Sequence, residues 1–345
     1  MSGPAADLVD YYLSALKIAP LLAERDVEDL AIQQPGAAWV RAGGSWREYD
    51  IPELDLLTIE EFCVVCGSLR HQEHGEHRPI LDTELEGNLR LHVSAFPTVP
   101  LGTISVTIRK HEDSVAPASS IPDRYAAGGW DQYVRQSGRK DGTLAALYRA
   151  GDIVQFLRGC VRARQNIMLV GATGSGKTSL LKTLCAEIPY SQRVITVEDA
   201  QELTVLQPNH VRLLFKRDDL SHGEITAETL LQGAMRMHPD IVILGEVRGA
   251  EAWCYVNDVT PPHPGSICSV HGNTPASGFQ RIIGLCKAAP AAASYDDRAL
   301  AILVAHAVDV IVPLEQIGGK FRIHPIWFVG EAEERDSTGL ELVDL

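Results

Sequence analysis

No apolar run in this chain reaches the roughly 18 uninterrupted residues that crossing a bilayer requires. The first ten residues contain Asp7 and Asp10 but no lysine or arginine, so the charge of a secretory signal is missing too. These absences predict a cytoplasmic protein. Basic charge is scarce: 45 acidic against 31 basic residues give a net −14, a field that repels nucleic acid and argues against stable binding to DNA or RNA. Arg212, Lys216 and Arg217 make a local basic exception, for which a solvated strand edge is the ordinary explanation. The seven cysteines are scattered and odd in number, which excludes a disulfide framework and suits reduced thiols. Internal repeats and low-complexity segments are also missing. What is present is a chain of 345 residues, 45% hydrophobic and 22% charged, enough for two domains each with its own core.

Cys63 and Cys66, followed by His71, His74 and His77, have the residue types of a zinc site. The spacing argues against one. Finger-type sites use two ligand pairs separated by about 12 or more residues, and no second Cys-x-x-Cys pair exists here. Thr58 and Glu61 read as a capping box, which puts both cysteines on one helical turn facing the core and the histidines in the loop ending at Pro79.

Leu8, Tyr12, Leu16 and Ile18 recur at helical spacing and predict an amphipathic helix over 5–22. Strands are expected at 30–33, 38–41, 46–49, 80–83, 89–95 and 103–109, with a Gly43-Gly44 turn and the capped helix among them. One helix crossing a mostly antiparallel sheet makes a small α+β domain over 1–110. Pro117, Pro122, Gly128, Gly129, Gly138 and Gly142 then break all periodicity, which reads as a linker over 111–143 or as a long surface loop. Beyond it, over 144–345, short runs without polar alternation at 166–170, 193–197, 240–244 and 266–270 interleave with helical stretches at 177–187 and 226–238. That pattern predicts a mostly parallel sheet covered on both faces.

The sharpest motif is Gly171-Ala172-Thr173-Gly174-Ser175-Gly176-Lys177-Thr178, which fits G-x-x-x-x-G-K-[ST] and sits between an apolar strand and a helix starting near Ser179. Its glycines let consecutive backbone N–H groups form an anion nest, to which the helix adds its positive end. Lys177 has the reach for β- and γ-phosphates, and the Thr178 hydroxyl suits Mg²⁺. The competing explanation, a glycine-rich turn that binds nothing, does not account for the flanking strand and helix. Other strand ends converge on the same edge. The strand at 193–197 runs into Glu198, Asp199 and Glu202; that at 240–244 into Gly245, Glu246 and Arg248; that at 266–270 into His271. Ligands of open parallel sheets sit beyond these carboxyl ends, where carboxylates can place water or a metal-bound water and cations can stabilise a transferring phosphoryl group.

These segments resemble the secretion-superfamily traffic ATPases, the motors of type II and type IV secretion and of pilus retraction. Residues 171–178 look like the Walker A loop, 196–203 the Asp box, 239–252 the Walker B region and 263–272 the His box. Residues 34–40 and 102–110 resemble the N-terminal domain of the type IV branch, as does Arg248-Gly249-Ala250-Glu251-Ala252 after Glu246. Pro262, Gly272 and His238 depart from the family pattern without removing a catalytic group.

The resemblance implies a RecA-like P-loop domain that binds ATP and Mg²⁺ through 171–178, Ser179 and Arg248. Glu246 would be the main catalytic carboxylate, Glu198 a placer of metal and water, and His271 a γ-phosphate sensor, with Mg²⁺ held by Thr178, Glu198 and Glu246, partly through water. Arg90 and Arg109 would reach nucleotide from the first domain, the plainer explanation being a solvated strand edge. It further implies a hexameric ring on the cytoplasmic face of the inner membrane, docked on secretion-machine components and powering pilus biogenesis or substrate transfer. A nucleotide-dependent scaffold and a type II or retraction motor of the same superfamily are the alternatives. The Leu-Ser-Gly-Gly-Gln signature of transporter ATPases is not found.

Overall fold

A computed structural model of the protein describes residues 4–110, 142–215 and 225–329. Of the linker expected over 111–143, residues 111–141 lie outside the described residues, as do Lys216 and Arg217, while Gly142 and Thr143 belong to a helix instead.

In the first domain, helices α1 (Pro4–Ala15), α2 (Ala19–Ala23) and α3 (Leu56–Ser68) accompany strands β1 (Val27–Gln34), β2 (Ala37–Ala42), β3 (Ser45–Asp50), β4 (Ile80–Leu85), β5 (Leu89–Ser94) and β6 (Ser105–Lys110). The strands form one antiparallel sheet in the order β3-β2-β1-β6-β5-β4. Two expectations need correction. The helix over 5–22 is broken: Lys17 adopts φ +57°, and Pro20 enters at the start of α2, where a missing N–H is tolerated as it would not be mid-helix. The cap of α3 is Asp55, not Thr58; its carboxylate accepts the Thr58 backbone N–H at 2.9 Å and the Thr58 hydroxyl at 2.6 Å. Cys63 and Cys66 are buried in the core beside Phe62 and Ile59, and burial pushes the Cys66 thiol up to about 12.

Strand alternation divides this sheet. Leu30, Ile32, Val106 and Ile108 join the helices in the core. The registered partners on the other face are Asp29 opposite Arg109 on β6, and on β5 Arg90 opposite Arg109 and His92 opposite Thr107. That polar face meets the second domain: Ser105 Oγ lies 3.9 Å from Met237 Sδ, and His238 Nδ1 is 2.7 Å from Asp29 Oδ2.

The second domain is built on β7 (Ile167–Gly171), β8 (Val194–Glu198), β9 (His210–Leu214), β10 (Ile241–Val247), β11 (Ile267–Val270), β12 (Val310–Ile317), β13 (Lys320–Ile323) and β14 (Trp327–Phe328). The order is β13-β12-β7-β11-β10-β8-β9, with β14 also on β12. Strands β7 to β12 pair in parallel, and β13 and β14 are antiparallel to β12. Helices α4 (Gly142–Ala150), α5 (Ile153–Arg162), α6 (Lys177–Ala186), α7 (Ala227–Arg236), α8 (Glu251–Cys254), α9 (Pro275–Cys286) and α10 (Asp297–Ala307) cover the sheet. Even-numbered Met168, Val170, Val242 and Leu244 enter one core with α7, α9 and α10; odd-numbered Ile167, Leu169, Ile241 and Ile243 enter another with α5 and α6. Burial on both faces is why these strands show no polar alternation. No helix among the described residues is long and apolar enough to cross a membrane.

Candidate active site

Strand β7 ends at Gly171, and the loop that follows opens α6. Glycine is required at both ends of that loop. A Cβ on Gly171 would stand 2.2 Å from Ser175 Oγ and 2.8 Å from the Leu314 carbonyl. Gly176, the N-cap of α6, has φ +93°, a left-handed conformation that other residues adopt at a cost. The first-turn N–H groups of α6 have no intrahelical acceptor, and residues 176–179 line a cavity of about 360 Å³. Lys177 Nζ donates to the carbonyls of Gly171 at 2.7 Å and Ala172 at 3.0 Å. Burial lowers its pKa, opposed by the Glu246 charge and assisted by Arg248.

The other strand ends complete the wall. Glu246, at the end of β10, has Oε1 2.8 Å from His271 Nε2, while its Oε2 accepts a hydrogen bond from Arg248. Arg248 also donates to Asp199 Oδ2 at 3.1 Å, and the bond to Glu246 raises its pKa against the effect of burial. The turn carrying Arg248 is fixed by Glu251, whose Oε1 accepts from the Arg248 N–H at 2.8 Å and the Gly249 N–H at 3.0 Å. Between the two strands, Ser269 Oγ donates to the Gly245 carbonyl at 2.6 Å. Ala172, Thr173, Gly174, Gly176, Lys177, Thr178, Ser179, Glu198, Glu246, Arg248 and His271 therefore line one cavity, as the strand-end reading expects. Ser175 lies within the loop but faces Gly171, buried.

Three expected residues stand differently. Glu198 lines the cavity, but its oxygens are engaged: Oε1 accepts from Thr196 Oγ1 at 2.7 Å, and Oε2 from the N–H groups of Glu202 at 3.0 Å and Leu203 at 2.8 Å. Its carboxylate holds the 199–203 segment in place. Arg90 and Arg109 lie elsewhere in the chain. They line a second cavity of about 530 Å³ with Asp82, His92 and Arg236, sharing no residue with the first. Arg90 Nε is 3.7 Å from Glu84, and Arg109 Nε is 3.9 Å from buried Asp29. A nucleotide bridged between the phosphate loop and these arginines of the same chain is thus not what the fold provides. The cause is register: both arginines belong to the sheet face that packs on α7, whereas the loop sits at the carboxyl edge of the second sheet.

For Mg²⁺ the donor set fits in part. The ion keeps most of its waters and takes one or two protein oxygens beside phosphate. Thr178 and Glu246 line the cavity, and Glu246 Oε1 is buried with His271 Nε2 beside it at 2.8 Å. Both Glu198 oxygens already accept hydrogen bonds. Sequence reasoning also missed Ser269 and Phe321 as lining residues. Gly318-Gly319 was an available signal for the hairpin that carries Phe321.

Residues 143–314 match the family described as "Type II/IV secretion system protein". The chain is 40% identical over 314 residues to Protein VirB11 of Agrobacterium fabrum (strain C58), covering 90% of this chain and 91% of that protein. It is 30% identical over 322 residues to the type IV secretion system protein VirB11 of Bartonella henselae, covering 90% of each. Its fold superposes with a TM-score of 0.86 and 29% identity on the crystal structure of the VirB11 ATPase from the Brucella suis type IV secretion system in complex with sulphate, over 99% of this chain and 98% of that one.

Proposed function

The chain belongs to the VirB11 family of type IV secretion ATPases, and from that premise we propose that the 360 Å³ cavity binds and hydrolyses ATP with Mg²⁺ to drive a type IV secretion machine. The observation that carries this reading is the meeting of Lys177, Thr178, Glu246, Arg248 and His271 around one phosphate-sized edge. Lys177 exchanges its two loop carbonyls for β- and γ-phosphate oxygens. Glu246, whose Oε1 faces the His271 ring, orients the attacking water and accepts its proton. His271, 2.8 Å from that oxygen, reports the γ-phosphate to the catalytic carboxylate. Arg248 bridges Glu246 to Asp199 and is poised to trade one of them for phosphate. Thr178 and Glu246, the latter partly through water, would hold Mg²⁺, which neutralises charge on the β- and γ-oxygens when bound. Glu198 is assigned to holding the cavity wall rather than to the ion.

Six copies would form a ring at the cytoplasmic face of the inner membrane, joined to it through secretion-machine partners. In that ring Arg90 and Arg109 contact nucleotide held by a neighbouring copy, since they do not reach the phosphate loop of their own chain. The site is then completed by assembly. ATP turnover per subunit, measured against protein concentration with Lys177→Ala as the blank, should climb as rings form. Turnover independent of concentration would contradict completion by a neighbour. Blank-level turnover with tight ATP binding would favour a nucleotide-dependent scaffold.

A further inference from the structure

Within the sheet the phosphate loop has unlike neighbours. On one side of β7 stand β11 and β10, whose ends carry His271 and Glu246. On the other side β12 runs parallel to β7, with Leu314 beside Gly171. It then continues past the loop, turns at Gly318 and Gly319 with φ +58° and +78°, and returns as β13. Phe321 sits on this returning strand opposite Gln316. Its side chain is 56% exposed, yet three of its ring carbons lie 2.8 to 3.1 Å from where a Cβ on Gly176 would stand. The ring therefore leans over the N-cap of α6, and the hairpin supplies Phe321 to the cavity lining.

A triphosphate in this loop has one orientation open to it. Its γ-phosphate must face Glu246 and His271, so its nucleoside end projects toward the opposite side of β7, where the β12–β13 hairpin stands. We infer that Phe321 is the platform on which the nucleotide base stacks, an assignment that rests on the cavity being the ATP site. An aromatic face at the rim of a polar cavity is chemically suited to a purine, whose π-face stacks whatever its edge substituents. The rest of the lining is dominated by phosphate-binding and charged groups, so the base finds its apolar contact at this residue. The role also explains an exposed phenylalanine held against a glycine of the phosphate loop.

The test compares two probes on the full chain, Mg-ATP and inorganic tripolyphosphate, which has the phosphates but no base. Removing a stacking ring costs a nucleic-acid base about ten-fold or more in affinity. Phe321→Ala should weaken ATP by about that factor while leaving tripolyphosphate within about two-fold. Phe321→Trp should keep ATP affinity and add a fluorescence response to ATP, absent in wild type, that tripolyphosphate does not evoke. ATP binding unchanged in Phe321→Ala would overturn the assignment. Equal weakening of both probes would overturn it too, by making Phe321 a support for the loop. Lys177→Ala separates this failure from that of the cavity reading: if it binds both probes as wild type does, the loop is not the phosphate site, and the platform falls with it.

Discussion

Strands β8 and β10 each carry charge at both ends, and the two ends are organised in opposite ways. At the amino ends, Arg193 is fully buried and donates to the Met237 carbonyl at 2.8 Å and Asn209 Oδ1 at 2.6 Å. Asp240 Oδ2 accepts the Arg193 backbone N–H at 2.8 Å. The first domain closes over this cluster. Trp46 lies 5.0 Å from the guanidinium, Gln33 hydrogen-bonds Asn209, and Arg41 stands 3.8 Å from Asp240. Burial lowers the Arg193 pKa to about 10, with Asp29 and Asp240 pulling it back up, so the group stays charged at neutral pH. About 17 to 20 Å along the strands, at the carboxyl ends, Glu246, Arg248, Asp199 and His271 are partly exposed and hold mainly one another. The amino-end cluster joins two domains. The carboxyl-end cluster has partners it can exchange for a ligand. Residue types barely distinguish the two; burial does.

Substitutions at the two ends should therefore separate activity from stability. Lys177→Ala at the carboxyl edge should lower turnover by about 10²–10³-fold and move the melting temperature by less than about 2 °C, read by steady-state ATPase assay and calorimetry. Arg193→Ala at the amino end should do the reverse. Removing one member of a buried charged cluster costs about 3 kcal/mol, which is roughly 6–10 °C in melting temperature, while the fraction still folded keeps its turnover. If Arg193→Ala slowed turnover at full stability, the seam would be part of the chemistry and the contrast would fail.

The smallest effect sharpens the contrast at the seam. Burial tends to raise the Asp82 carboxyl, but hydrogen bonds and charge from His92 and from Arg236 of the second domain hold it below its ordinary value. A carboxylate held below its unfolded value contributes stability in full above about pH 4, and loses it as pH falls through the folded value. The melting-temperature gap between wild type and Asp82→Asn should accordingly narrow as pH falls below about pH 4. A gap that widens in acid would mean the carboxyl is raised instead.

The legible parts of the sequence were those where one local rule acts alone. The apolar runs of β7, β8, β10 and β11 are buried on both faces, and the phosphate loop declares its own conformation through its glycines. Strand β12 was illegible because Pro313 sits in its middle, normally an argument against a strand. The proline is tolerated where β12 changes partners: residues 310–311 pair with β14 and 314–317 with β13, so the missing N–H falls in the gap. Strand β9 is an edge, half-buried in alternation, and follows Pro208, which hid it. The break after α1 comes from Pro20 acting three residues beyond a positive φ. The position of Arg90 and Arg109 depends on how one sheet packs against α7, and no pattern along the chain encodes that. Glu198 lines the cavity, but its three hydrogen bonds come from residues two to five positions away and only the folded turn reveals them.

The central claim is that Glu246 acts on water while the loop holds the triphosphate. It is tested most directly by measuring ATP affinity and single-turnover hydrolysis together in Glu246→Gln. Affinity should stay within a few-fold of wild type while hydrolysis slows by about 10²-fold or more. Hydrolysis at the wild-type rate, or affinity falling in step with hydrolysis, would contradict it.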